Sequence, residues 1–181
     1  MTHRREVMDI DGLAPPAGQH AFEFRTAMVA PGYFDAFTAP IIAGRSFSEA
    51  DLAPGRNVAI VDRTFVRHIL NGGEAVGRQV RRAASEGRPA GPWIEIVGVV
   101  ADLTDDTNKR ADESWLYLPA APETTAPFYI AIRARTTTAA AIAQLHAIAI
   151  DVDPALRAIE VMTIDQLSDA DLAALDFFAR L

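Results

Sequence analysis

The sequence predicts an α+β fold built from short strands and short helices. Patterns typical of strands and of helices alternate along the chain. Near the C-terminus they follow the order strand, helix, strand, helix, which corresponds to the second half of a split β-α-β unit. Eleven glycines and eleven prolines separate the patterns into short segments. Half of the 181 residues are hydrophobic and 23% are charged, as in a globular protein with its own core.

The first hundred residues are predicted to contain six strands and three short helices. Alternating or β-branched apolar residues predict the strands, which span residues 5–10, 22–29, 41–42, 57–61, 77–82 and 93–100. Pro31 is a favourable first helical residue, and Asp62 can cap the segment that follows it. Ser48 and Asp51 have the spacing of a capping box. Helices are therefore expected directly after Pro31, over residues 48–52 and over residues 63–70.

The remaining residues are predicted to form three more strands and two longer helices. The strands are expected over residues 115–118, 128–135 and 159–163, and the helices over residues 138–150 and 164–181. The first of these helices is rich in alanine, and Ile142, Leu145 and Ile148 or Ala149 recur at helical spacing on one face. A Pro-rich link is expected over residues 120–127.

Composition argues against several classes of function. The net charge of −7 argues against nucleic-acid binding, because neutralising phosphates needs a cationic surface. There is no cysteine, so disulfides, thiolate metal ligands and cysteine nucleophiles are excluded. The sequence has no run of about 20 apolar residues, and its start lacks the apolar stretch of a signal peptide. If the protein is exported, its targeting element is expected outside this sequence.

No catalytic, cofactor-binding or metal-binding residue is predicted. The four histidines form no H-x-x-x-H pair or carboxylate clamp; they are His3, His20, His68 and His146. None of the serines lies in a G-x-S-x-G elbow; they are Ser46, Ser48, Ser85, Ser114 and Ser168. Gly72-Gly73 is not followed by the lysine of a phosphate-binding loop. A hydrolase would need a nucleophile and a base in one pocket, and the sequence indicates no such pair.

Two acidic features are interpreted as structural. The loop over residues 102–112 is interpreted as solvated rather than as a Ca²⁺ site, because it lacks the spacing and the central glycine of an EF-hand. The acids of this loop and its flank are Asp102, Asp105, Asp106, Asp112 and Glu113. Glu95 interrupts the apolar strand over residues 93–100, and we expect it on the wet face of a sheet. As a functional acid it would need a partner that the sequence does not identify.

Two further features have both a structural and a functional interpretation. Gly44-Arg45 predicts a tight turn with a solvated or locally ion-paired arginine, and the alternative is a contact with a partner protein. Tyr33, Phe34 and Phe37 are predicted core anchors, and the alternative is an exposed recognition patch.

Four segments, in order, carry a resemblance to a known family. They are Val29–Phe34 with Pro40–Asp51, Val58–Val61 with Phe65 and Gly73–Arg78, Trp93–Asp102 with Tyr117–Pro119, and Ile130–Arg133 with Asp153–Pro154 and Val161–Leu167. Together they resemble the periplasmic core domain of MacB/FtsX-type ABC transporter permeases, over residues 22–170. The sequence departs from the family pattern at Ala39, where glycine is usual, and at Asn71-Gly72, where a Pro-containing turn is commoner.

The resemblance implies two lobes. A β-rich, sabre-like lobe would be inserted over residues 22–119. A porter-like lobe, a split β-α-β unit, would combine residues 1–21 with residues 120–181. The whole chain, residues 1–181, would then be an extracytoplasmic domain fragment.

The resemblance also implies a role without catalysis and without a cofactor. The domain would lie between two membrane helices, on the periplasmic face of the bacterial inner membrane, and transmit the movement of a cytoplasmic ABC ATPase. The implied partners are that ATPase, a second permease copy, and a periplasmic protein or exported substrate. The alternative is a free-standing extracytoplasmic module of the same fold that binds a ligand or a protein.

Overall fold

The computed structural model describes residues 4–18, 20–103, 113–120 and 132–152. Seven strands of this part form one sheet. They are β1 (Arg4–Ile10), β2 (Phe22–Val29), β3 (Ile41–Gly44), β4 (Val58–Asp62), β5 (Gln79–Arg82), β6 (Ile94–Val100) and β7 (Trp115–Pro119). The α-helices are α1 (Tyr33–Ala36), α2 (Arg63–His68) and α3 (Thr138–Val152), and a 3-10 helix spans Glu49–Leu52. The fold is therefore a sheet-rich mixture of strands and helices, in keeping with the predicted α+β class.

The strands and helices predicted between residues 5 and 119 are present, with bounds that differ by a few residues. β5 begins at Gln79 rather than at residue 77, because Gly77 has a φ of +86° and belongs to the preceding turn. The predicted strand over residues 128–135 is wrong for residues 132–135, which are irregular. Residues 128–131, the strand over 159–163 and the helix over 164–181 fall outside the described residues.

The sheet closes on itself. Its strand order is β3-β6-β4-β7-β2-β1-β5, and β5 also pairs with β6. The six strands from β6 round to β5 thus form a small barrel, and β3 lies beside β6 outside the ring. β3 and β5 share one edge of β6, since β5 pairs with Ile94 and Glu95 and β3 pairs with residues 98–100.

The barrel has an apolar interior. Every strand of the ring contributes to one buried cluster, which includes Met8, Phe24, Val61, Val80, Ile96 and Leu116. Phe65 of α2 joins this cluster with no exposed surface, and its ring meets that of Phe24 edge to face with centroids 5.2 Å apart. Because side chains alternate along a strand, the neighbouring residues face outward.

The outward residues of the ring form a second core. Val58 and Ile60 of β4 pack there with Tyr117 of β7. Phe34 of α1 and Phe47 belong to the same cluster and cover these strands from outside. The segment over residues 30–52 therefore acts as an apolar lid on one face of the barrel, so that β4, β6 and β7 are packed on both sides.

The chain divides into two compact units, residues 1–129 and 130–181. β1 pairs with β2 and β5 inside the sheet of the first unit. This pairing differs from the predicted grouping of residues 1–21 with residues 120–181, because residues 4–10 share a ladder with strands of the segment 22–119. The grouping itself stays a prediction, since most of residues 120–181 lie outside the described part.

In the second unit, the residues of the predicted apolar face of α3 are buried to different extents. Ile142, Leu145 and Ala149 are half-buried, whereas the Ile148 side chain is 59% exposed. Of the two residues predicted for the last apolar position, Ala149 is the more buried one.

Candidate functional site

Two glycines allow the chain at the end of β3 to approach the backbone of β6 very closely. A Cβ at Gly44 would collide with the carbonyl oxygen of Val97, and a Cβ at Gly98 would collide with the carbonyl oxygen of Arg45. The chain leaves the sheet at this point, and Gly44 has a φ of +69°. Position 44 must adopt a positive φ and leave no room for a Cβ, and only glycine meets both requirements. The tight turn predicted there is therefore confirmed.

Arg45 is held by an ion pair directly after this close approach. Its guanidinium donates two hydrogen bonds to the Asp51 carboxylate, at 2.6 and 2.9 Å. Asp51 also accepts a hydrogen bond from the backbone N–H of Ser48 at 2.8 Å, which completes the predicted capping box. The bond from Arg45 holds the pKa of Asp51 well below its usual range. The local ion-pair interpretation of Arg45 is therefore confirmed, and this arginine stabilises the 3-10 helix.

The aromatic residues of α1 and of its C-cap, Phe37, belong largely to the core. Phe34 is 2% exposed and meets Tyr117 edge to face, with centroids 5.1 Å apart. Tyr33 and Phe37 are half-buried, and their rings lie 4.8 Å apart. Burial raises the pKa of the Tyr33 phenol above its ordinary range. The prediction of core anchors is confirmed for Phe34 and holds in part for the other two.

Two carboxylates cap the first turn of α2. Asp62, at the end of β4, accepts a hydrogen bond from the Phe65 N–H at 2.7 Å, as its predicted capping role requires. Asp102 accepts one from the Thr64 N–H at 2.8 Å. Burial raises the pKa of Asp62 to about 7, although the hydrogen bond from Phe65 acts to lower it, and the charge of Asp102 raises it further. Burial also raises the pKa of Tyr117, and the negative charge of Asp62 raises it further to a smaller extent.

The cap formed by Asp102 was not predicted from sequence. Asp62 and Asp102 come at the ends of two parallel strands, β4 and β6, and the carboxyl ends of neighbouring parallel strands meet at one edge. That topology brings the two acids to the same helical turn, and it is not readable from a single sequence.

Glu113 lies in an ion-pair network on the barrel surface. It pairs with the Arg25 Nε, and it also accepts a hydrogen bond from Arg5 at 2.9 Å. The Arg25 guanidinium lies over the Trp115 ring, 5.5 Å from its centroid. This network joins the segment before β7 to β1 and β2. The loop acids at positions 105, 106 and 112 lie outside the described residues.

Glu95 and the three described histidines are exposed. Glu95 is exposed opposite Gln79, as expected for the wet face of the sheet. His20, His68 and His146 are also exposed. Among the described residues, no group of three histidines, cysteines or acids is arranged to hold a metal ion. His3 lies outside the described residues.

The surface beside β3 contains a shallow cavity of about 210 Å³. Apolar side chains of β3, α2, the turn over residues 73–76 and β6 line most of it, and these include Ile42, Ala43, Val66, Ala75, Val76 and Val99. Arg63 and Glu74 lie at its rim and are exposed. In the described part of the chain, an edge strand and an apolar depression adjoin at this place. A polypeptide, which can pair with the strand and fill the depression, matches this surface better than a polar substrate does.

The described helices include none that is both long and apolar enough to cross a membrane. The family model of the MacB-like periplasmic core domain matches residues 6–148 of the chain. A comparison with curated protein sequences finds no match.

The crystal structures that are similar to this chain include the following two. The periplasmic region of MacB from Actinobacillus actinomycetemcomitans shares 17% identity with a TM-score of 0.57, over 83% of this chain and 64% of that region. A domain assigned to a permease protein from Porphyromonas gingivalis shares 16% identity with a TM-score of 0.55, over 93% of this chain and 77% of that domain. At these identities the similarity shows a common fold. The chain spans less than two thirds of the MacB region.

Proposed function

The chain belongs to the family of MacB-like periplasmic core domains, and we propose that it is the non-catalytic extracytoplasmic part of an ABC transporter permease. In this role it transmits the movement of a cytoplasmic ATPase to a substrate or partner outside the membrane. The family match over residues 6–148 is the observation that carries the proposal. No nucleic acid, cofactor or metal is part of it.

The construction of the barrel supports a mechanical role. Transmission by rigid-body movement requires a unit that does not deform when it is pushed. The ring of six strands has no open edge of its own, because β5 pairs with both β1 and β6. β4, β6 and β7 are packed on both faces by the two apolar clusters. Close packing of this kind favours movement of the whole unit over internal adjustment.

The proposal includes the partners and the division into lobes. The ATPase would act through membrane helices of the permease, and a second permease copy would complete the machine. A periplasmic protein or an exported substrate would contact the domain from outside. The division into an inserted lobe over residues 22–119 and a porter-like lobe over 1–21 and 120–181 belongs to the same proposal, with β1 paired into the barrel sheet.

Fractionation of the natural full-length protein from its host tests this function. We expect the protein in the inner-membrane fraction, with the segment described here cleaved by a protease added to spheroplasts. A protease applied to inside-out vesicles should leave the segment intact. A full-length protein that stays in the soluble fraction would contradict the permease role and favour a free-standing binding module.

A further inference from the structure

Among the described strands, β3 provides the open edge of the sheet. Every strand of the ring has a neighbour on each side, because β5 closes onto β6. β3 pairs with β6 on one side, and no strand of the described residues pairs with its other side. An open edge offers unpaired backbone groups to another strand. Natural sheets usually protect such an edge with charged residues, but β3 consists of Ile41, Ile42, Ala43 and Gly44.

The side chains on this edge are apolar and accessible. Ile42 is 44% exposed, and Ala43 is also exposed. Both line the cavity of about 210 Å³, together with Val66 of α2. A strand added to β3 would therefore bring alternate side chains against an apolar depression, which is the arrangement that gives strand addition its specificity.

Two opposite charges lie at this cavity, one toward each end of β3. Arg63 directly follows Asp62, whose ladder partner Val100 lies opposite Ile41, so Arg63 belongs to the Ile41 end. Glu74 lies two residues before Val76, whose side chain adjoins Gly44, so Glu74 belongs to the Gly44 end. Neither side chain forms an ion pair with any residue in the described ranges.

We propose that the β3 edge is a contact surface for a second copy of this chain, paired antiparallel and related by a twofold axis. In an antiparallel pair the Ile41 end of each copy faces the Gly44 end of the other. Arg63 of one copy then lies near Glu74 of the other, and the symmetry forms this ion pair twice. The charge pattern around the edge is therefore complementary to itself. Each Ile42 is also covered by the apolar residues of the facing copy.

The proposed contact is expected to be weak because the edge is short and irregular. β3 has four residues, and its pairing with β6 is irregular between Ile41 and Ala43. Such a bulge shortens the regular edge and limits how many backbone bonds an added strand can make. A weak contact suits two domains that a permease dimer holds at high local concentration. In this respect the inference rests on the proposed function.

Self-association of the 181-residue chain provides the test. Sedimentation equilibrium and NMR dilution up to about 1 mM should show a monomer–dimer equilibrium, since contacts of this size bind in the high micromolar range or weaker. Amide shifts that depend on concentration should cluster at residues 41–44, 63–66 and 74–76. Added salt should weaken the association, because the ion pairs are exposed to solvent.

Charge reversal makes the test specific. Arg63→Glu and Glu74→Arg each replace two attractive contacts by two repulsive ones, so we expect association at least about tenfold weaker in each. The double variant restores both pairs with opposite polarity and should return to the wild-type affinity. Arg56→Glu serves as the matched control, because Arg56 is an exposed arginine outside this surface. All three positions are exposed, so thermal melting is enough to check that the variants fold.

Three results would overturn the inference. The chain stays monomeric at every concentration, the shifts map to another surface, or the double variant fails to recover. Binding of another protein to β3 without self-association would count against the second copy in the same way. A monomeric chain from a full-length protein that fractionates with the membrane would refute this contact and leave the proposed function standing.

Discussion

Replacing Asp62 by asparagine should make the protein less sensitive to pH. Asp62 is 3% exposed, and its pKa in the folded state is about 7, against an ordinary value of 3.8. Between these two values the folded protein holds a proton on Asp62 that the unfolded chain has released. The free energy of unfolding therefore falls as the pH rises from 4 to 7, by about 1.4 kcal/mol per pH unit for this group.

The magnitude over the whole window is on the order of 4 kcal/mol. Above pH 7 the carboxylate is charged in both states, and the contribution of this group no longer changes. Asparagine keeps an oxygen that can accept the hydrogen bond from the Phe65 N–H, but it carries no charge to desolvate. The variant should therefore lose the slope between pH 4 and 7 and should be more stable than the wild type at pH 8.

Urea denaturation at half-unit steps from pH 4 to pH 8 measures this effect. The difference between wild type and variant isolates Asp62, because the other titrating groups are common to both proteins. Equal slopes for the two proteins would show that burial does not hold the proton on Asp62 and would refute the reasoning.

Four other substitutions probe the barrel and the cap of the 3-10 helix. Gly98→Ala should destabilise the protein by about 3 kcal/mol, because the new methyl group meets the Arg45 carbonyl oxygen, whereas Gly91→Ala should cost less than about 1 kcal/mol, since its nearest neighbour is a side-chain atom at 3.3 Å. Phe65→Ala should cost about 4 kcal/mol by leaving a cavity in the barrel interior, as measured by chemical denaturation. Asp51→Asn should cost about 2 kcal/mol at pH 7 by breaking the pair with Arg45. Because the folded pKa of Asp51 is lowered, this loss should vanish as the pH falls through the acid range, opposite in direction to Asp62.

Each of these predictions has an outcome that would contradict it. Equal stability of the two alanine variants of glycine would mean that β3 does not need to approach β6 closely. A small effect at Phe65 would place that ring outside the interior. If Asp51→Asn still lowers the free energy of unfolding at low pH, the charge of Asp51 does not account for the stability that the cap provides.

Local features were predictable from the sequence because their causes are local. The capping box at Ser48 and Asp51 and the cap at Asp62 depend on residues three positions apart. The tight turn at Gly44 was predicted from residue type alone. Glu95 was expected on the wet face because a single acid interrupts an alternating strand, and it is exposed.

Features that depend on strand pairing were not predictable. The closure of the ring requires β5 to meet β6, and no residue of either strand encodes that partner. Asp102 caps α2 only because β4 and β6 are parallel neighbours. Gly98 has the sequence context of an ordinary strand residue, and its need for glycine comes from the backbone of Arg45, which lies against it. In each case the deciding contact joins residues that are far apart in sequence, from Val80 and Ile94 in the ring closure to Arg45 and Gly98 at the close approach.

Distance measurement between spin labels in the natural full-length protein, the proposed permease, tests the central claim most directly. The chain has no cysteine, so Arg56→Cys and His68→Cys place labels at two exposed positions of the barrel unit. Between the nucleotide-free and ATP-bound states, we expect the distance between these labels within one copy to stay constant and the distance between equivalent labels of two copies to change. A changed distance within the copy, or an unchanged one between copies, would contradict transmission by a rigid domain.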